Sequence, residues 1–127
     1  MLRKPILIID DETDYTDLLK VHLEAISDFE IFASNNSEDG IKLAKQLKPL
    51  LVLLDILMPG IDGYEVLKRL KSDPDTQMIP VIMLTALGSE ESKIKASQLF
   101  DEDYLVKPVE ARDLKKKIEE VIKRRGA

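Results

Sequence analysis

The feature that most constrains this chain is a series of short apolar runs, each followed by a stretch with helical periodicity. Four runs are strong: Ile6-Leu7-Ile8-Ile9, Leu50 to Leu54, Val81-Ile82-Met83-Leu84 and Tyr104-Leu105-Val106. A fifth, Phe29 to Ala33, is weaker. Such brief, nearly unbroken runs predict strands buried on both faces, the situation of a parallel sheet covered by helices.

The intervening segments read as helices. Residues 14–26 place Tyr15, Leu18, Leu19, Leu23 and Ile26 mostly at three- and four-residue spacing. Ser37 is the expected cap of a helix holding Ile41, Ala44 and Leu47, which stops before Pro49. Residues 63–71 put Val66, Leu67 and Leu70 on one face. Ser89 opens a fourth predicted helix with Ile94, Ala96 and Leu99 inside it. The last runs from about Glu110 to Arg125 and aligns Leu114, Ile118, Val121 and Ile122. Strand–helix repeated five times predicts an α/β fold, a parallel sheet covered on both sides. No repeat, low-complexity tract or linker interrupts it, so residues 1–127 are expected to form one domain. A chain of this size buries roughly two-thirds of its unfolded surface and needs no disulfide or structural metal.

Composition narrows the chemistry. With no Cys, disulfide frameworks, thiolate zinc sites and a Cys nucleophile are excluded. The only His, His22, lies between apolar positions of the first helix and reads as a surface or boundary residue, leaving little for an imidazole-based metal site or triad. A net charge of −5 argues against nucleic acid as a direct partner. The charge is uneven: residues 115–125 carry a net +4 and the remainder −9. The plainer reading of the basic stretch is a solvated helix face, the alternative a partner surface. No apolar stretch approaches the ~18 residues of a membrane span. Met1-Leu2-Arg3-Lys4-Pro5 leads to only four apolar residues before Asp10, too short for a signal peptide, so the expected location is cytoplasmic, away from membranes.

In open parallel sheets, ligands gather at the carboxyl ends of the strands. The first run is followed by Asp10, Asp11 and Glu12, the one from Leu50 by Asp55, the one from Val81 by Thr85, and the last by Lys107. Acids and hydroxyls often terminate strands and cap the next helix, which accounts for any one of these positions but poorly for all four. Three carboxylates beside one ammonium also repel each other. Two like charges ~4 Å apart cost about 4 kcal/mol at an effective dielectric near 20. A hard divalent cation relieves that repulsion, and all-oxygen ligation suits Mg²⁺. A carboxylate can serve as nucleophile toward phosphorus, and phosphoryl transfer then needs a metal and fixed donors. Lys107 and the Thr85 hydroxyl are such donors.

Four motifs now stand in order: Ile8-Ile9-Asp10-Asp11-Glu12, Leu54 to Gly63, Pro80 to Ala86, and Asp103-Tyr104-Leu105-Val106-Lys107-Pro108. Together they closely resemble the receiver domains of two-component response regulators, over nearly the whole chain. The resemblance implies a flavodoxin-like (βα)5 fold, a doubly wound parallel five-stranded sheet of order 2-1-3-4-5. It implies Asp55 as phosphoacceptor for a sensor histidine kinase or phosphotransfer protein. Mg²⁺, or Mn²⁺ in its place, would be held by Asp11 and Asp55, by Asp10 largely through water, and by the Leu57 carbonyl. Thr85, Ala86 and Lys107 would hold the phosphoryl group, with Thr85 and Tyr104 as switch residues and a cis peptide at Lys107–Pro108. It also implies homodimer or output-domain contacts through the fourth predicted helix, the fifth strand and the last helix. The unit can stand alone or be cut from a longer regulator or hybrid kinase. It would be a switch that catalyses its own modification rather than a metabolic enzyme.

Two departures from the family pattern carry expectations. Leu99-Phe100-Asp101-Glu102 replaces a small Gly-Ala-type pair, predicting an altered end to the fourth predicted helix, because Phe disfavours the left-handed conformation. Leu57 and Leu87, two residues beyond Asp55 and Thr85, predict a long-lived phosphoryl state by limiting water. Met58-Pro59-Gly60 and Asp62-Gly63 read as loop, with Pro59 and the glycines serving turn chemistry. Three rivals remain. A haloacid-dehalogenase-type phosphatase wants Asp where Leu57 stands, and room for a cap. A flavodoxin wants a phosphate loop where the acids stand. A pseudo-receiver, acting only by binding, is disfavoured by the complete set Asp10, Asp11, Asp55, Thr85 and Lys107.

Overall fold

Alternation along each strand sorts the apolar runs onto two faces. The computed structural model describes residues 2–85 and 103–125. Its strands are β1 (Lys4–Ile9), β2 (Phe29–Ser34), β3 (Leu51–Asp55), β4 (Val81–Thr85) and β5 (Asp103–Val106). They form one parallel sheet in the order β2-β1-β3-β4-β5. Ile6, Ile8, Phe29, Ile31, Leu51, Leu53, Ile82 and Leu84 face one side; Leu7, Ile9, Val52, Leu54, Val81 and Met83 face the other.

Each face is closed by helices. On the first, α1 (Thr13–Ile26) contributes Leu19 and Leu23, and α4 (Ala111–Arg124) contributes Leu114, Ile118 and Val121. On the second, α2 (Ser37–Leu47) contributes Ala44, and α3 (Gly63–Ser72) contributes Val66, Leu67 and Leu70. Full burial of a large aliphatic side chain is worth about 1.5–3 kcal/mol, so these two layers dominate stability. No helix among the described residues is long and apolar enough to cross a membrane. The fourth predicted helix, with its altered end at Leu99 to Glu102, lies outside the described residues, as do Ala86 and Leu87.

One local expectation is corrected. Ser37 does not cap α2: Asn36 does, its side chain accepting from the Asp39 N–H at 3.1 Å. Ser37 is instead buried, and its hydroxyl donates to the Ile61 carbonyl at 2.7 Å, tying α2 to the loop after β3. Both side chains are good caps, and the long-range acceptor on Ile61 decides between them. Asn36→Ala is expected to lower the unfolding free energy by about 1 kcal/mol in urea titration. At the other end of α2, Lys48 turns left-handed with φ 48° and its N–H returns to the Ala44 carbonyl, stopping the helix before Pro49.

Candidate functional site

Parallel pairing places all strand carboxyl ends along one edge, and the chain direction diverges there between β1 and its neighbours β2 and β3, leaving a crevice. Asp10 directly follows β1 and is fully buried. One of its oxygens, Oδ1, accepts from the Glu12 N–H at 2.9 Å, closing the turn into α1. Asn35, after β2, donates its side-chain amide to the Asp10 carbonyl at 2.7 Å, bracing that turn. Asp55 ends β3 and is almost fully buried. The Leu57 backbone N–H favours the charged form of its carboxylate, while the Leu57 side chain is exposed.

Lys107, just beyond β5, reaches into the crevice from the far side. Its Nζ lies 2.7 Å from Asp10 Oδ2, 2.8 Å from Glu12 Oε1 and 3.7 Å from Asp55 Oδ1. Its peptide bond to Pro108 is cis. Burial alone would lower the lysine's pKa, but its close contacts with the Asp10 and Glu12 carboxylates and the charge of Asp55 outweigh it and raise it. Lys107 is therefore a cation throughout the working pH range. Asp55 moves the opposite way for a carboxylate. Burial raises its pKa, the charge of Asp10 adds to this, and Lys107 and the Leu57 N–H offset only part, leaving it at about 6 instead of 3.8.

Carboxylate oxygens of Asp10, Asp11 and Asp55 lie within 4.8 Å of one another, Asp11 being the most open of the three. Three hard oxygen donors, with Asp55 held at about 6 by burial and by the charge of Asp10, fit Mg²⁺ far better than a soft metal. A dication there would reverse the repulsion that raises Asp55.

The remaining predicted residues fall as follows. Thr85 ends β4 opposite Val106, with its backbone at the crevice edge. Tyr104 is half-buried on β5, paired with Met83 and packed against the cluster formed with α2 and α3. His22 is exposed on α1. In the basic C-terminal stretch, Lys117 and Arg124 both pair with Asp103 of β5, and Lys115 pairs with Glu119. Much of that charge is thus tied to neighbouring acids.

Three contributors escape a reading of the sequence. Glu12 follows the acid pair without any sign that it meets Lys107, 95 residues away. Tyr15 reads as one more inward position of the first helix, yet its ring lies 4.6 Å from Lys107 Nζ. Gly63 is more than turn chemistry, since a Cβ there would stand 2.4 Å from the Asp55 backbone oxygen. Gly60, exposed with φ +80°, keeps the turn role.

This sheet order and crevice place the protein among the flavodoxin-like doubly wound folds. Within that class the chain belongs to the response regulator receiver domain family of two-component systems, whose model matches residues 6–119. It is 38% identical over 126 residues to the phosphate regulon transcriptional regulatory protein PhoB of Pseudomonas aeruginosa, covering 99% of this chain and 55% of that one. It is also 38% identical over 122 residues to the DNA-binding dual master transcriptional regulator RpaA of Synechocystis, covering 94% and 49%. The chain thus spans about half the length of these curated relatives. A solved CheY-like response regulator receiver domain protein from Methanospirillum hungatei superposes with a TM-score of 0.86 at 29% identity, covering 97% of this chain and 96% of that one. Receivers of this family typically bind Mg²⁺ at an acidic pocket and partner with histidine kinases.

Proposed function

We propose that the chain accepts a phosphoryl group on Asp55 from the phosphohistidine of a sensor kinase or phosphotransfer protein, and that this modification switches its conformation. The observation that carries the reading is Asp55 itself, buried at a strand end between an acid, Asp10, and a cation, Lys107. An Asp55 carboxylate oxygen attacks phosphorus, the P–N bond to the donor imidazole breaks with its electron pair going to nitrogen, and the departing nitrogen takes a proton from water. Lys107 donates to a phosphoryl oxygen, with Thr85 and the Ala86 backbone as further donors. Asp10, Asp11, Asp55 and the Leu57 carbonyl would hold Mg²⁺, which when bound neutralises charge on the transferred group. Thr85 and Tyr104 carry the change outward by shifting an existing equilibrium.

The same proposal makes the protein a cytoplasmic switch that catalyses its own modification and its own hydrolysis. In a longer protein like PhoB or RpaA it would govern an attached output; the receiver itself would not touch DNA. Exposed Leu18 and Val21 on α1 would offer a phosphodonor an apolar surface.

The test is incubation with Mg²⁺ and a small phosphodonor such as phosphoramidate, read by intact-protein mass spectrometry. Wild type is expected to gain one phosphoryl group, lost on hydroxylamine treatment, and Asp55→Asn to gain none. Equal labelling of both overturns the assignment. Absence of labelling in wild type selects instead a non-phosphorylated interaction module.

A further inference from the structure

The proposed chemistry leaves Tyr15 without a task, although it lies against the central cation. Lys107 Nζ stands 4.6 Å from the ring centroid, inside the ~6 Å range in which an aromatic face attracts a cation. The ring packs against the cluster shared by α1 and α4, so the core and not the crevice sets its position. Its hydroxyl is buried with no hydrogen-bond partner among the described residues. What the site takes from Tyr15 is therefore the ring face.

The cation it carries is parked off the phosphoacceptor. Lys107 is within hydrogen-bond distance of Asp10 and Glu12 but stands 3.7 Å from Asp55. The two holds differ: the Asp10 side chain is buried, whereas that of Glu12 is 60% exposed, the weakly held kind of pair. Once Asp55 carries a phosphoryl group, its oxygens compete with Glu12 for the ammonium, and the exposed Glu12 contact is the one more readily given up. A lysine has a flexible four-carbon stem, and unconfined it would lose rotamer entropy in making that contact.

We propose that Tyr15 is the positioning residue for Lys107: its ring is a fixed floor on which the ammonium is held and across which it passes from Glu12 to the phosphoryl group. The passage rests on the phosphoacceptor reading of Asp55. The seating on the ring belongs to the unmodified protein and is measurable without it.

The full chain is compared with Tyr15→Leu, Tyr15→Phe and Glu12→Gln, each also made in a Lys107→Ala background. Without metal or phosphodonor, the Lys107 Hε protons are expected to be shifted upfield by the ring current in wild type and Tyr15→Phe, and to return to ordinary values in Tyr15→Leu. With Mg²⁺ and beryllofluoride as the phosphoryl mimic, Tyr15→Leu is expected to weaken binding about three- to tenfold. Tyr15→Phe, which restores the ring, recovers most of that loss. Glu12→Gln tightens binding about two- to threefold by releasing the parked cation. In the Lys107→Ala background these effects disappear.

An unshifted Lys107 in wild type overturns the proposal. So does a Tyr15→Leu loss that persists at full size without Lys107, since the ring would then act through packing alone. A protein that shows the ring-current shift but binds no beryllofluoride overturns the passage through Asp55, and with it the phosphoacceptor reading, leaving the seat itself established.

Discussion

Asp55→Asn is expected to make the protein more stable at about pH 8 in the absence of divalent cations, with a thermal midpoint roughly 8–12 °C above wild type. The folded protein holds Asp55 at about 6, against 3.8 for the free side chain. Between those values the folded state keeps a proton that the unfolded chain has released, so stability falls as pH rises. Above about pH 6 the whole cost is in place, about 3 kcal/mol for that displacement. Asn keeps the shape and removes the charge; the displacement is already net of the attraction to Lys107, so the expected gain is about 2–3 kcal/mol. Below about pH 4 the carboxyl is neutral in both states, and the two midpoints should converge. Adding Mg²⁺ should raise the wild-type midpoint by mass action and that of Asp55→Asn by less. A variant no more stable than wild type at about pH 8 would contradict the burial and repulsion assigned to Asp55.

Gly63→Ala is expected to cost about 2–3 kcal/mol, although Ala favours a helix by about 1 kcal/mol over Gly. The added Cβ would lie 2.4 Å from the Asp55 backbone oxygen and 2.6 Å from Ile56 Cα, both rigid backbone. The Gly63 N–H also donates to the Ile56 carbonyl at 2.8 Å, so α3 begins pressed against the end of β3. Relief requires moving one of them, and the movable part of β3 carries Asp55. The variant should therefore both melt earlier and label more slowly with phosphoramidate. Gly60→Ala is the comparison: its strain comes only from φ +80°, nothing lies within 4 Å, and its expected cost is about 1 kcal/mol with labelling unchanged. Wild-type stability in Gly63→Ala would show that the two elements separate easily.

Much of the fold was legible because its signals are local. A run such as Leu51 to Leu54 has no polar alternation, so both faces must be covered, and helices with apolar spacing stand ready on either side of it in the chain. Boundaries moved only slightly: β1 begins at Lys4, ahead of the apolar run, and α4 ends at Arg124. The cap of α2 is not legible in the sequence because Asn36 and Ser37 are adjacent and equally able, and only the distant Ile61 carbonyl distinguishes them.

Within the site, legibility follows the same division. Asp10, Asp55, Thr85 and Lys107 were visible because each stands at the end of an apolar run, and parallel strands bring those ends to one edge. Periodicity states which way a side chain faces, never what it will meet there. Tyr15 and Glu12 were therefore an inward helix position and a third acid until β5 delivered Lys107 between them. Gly63 was a loop glycine until the start of α3 closed on Asp55. The amino-acid sequence by itself determined the layered architecture and which polar groups converge at the crevice, since both follow from apolar patterning and strand direction. Tertiary structure alone decided that Lys107 rests on Asp10, Glu12 and the Tyr15 ring, 3.7 Å from Asp55. Those distances are set by how the loops at the strand ends and the start of α1 meet, a relation among residues far apart in the chain.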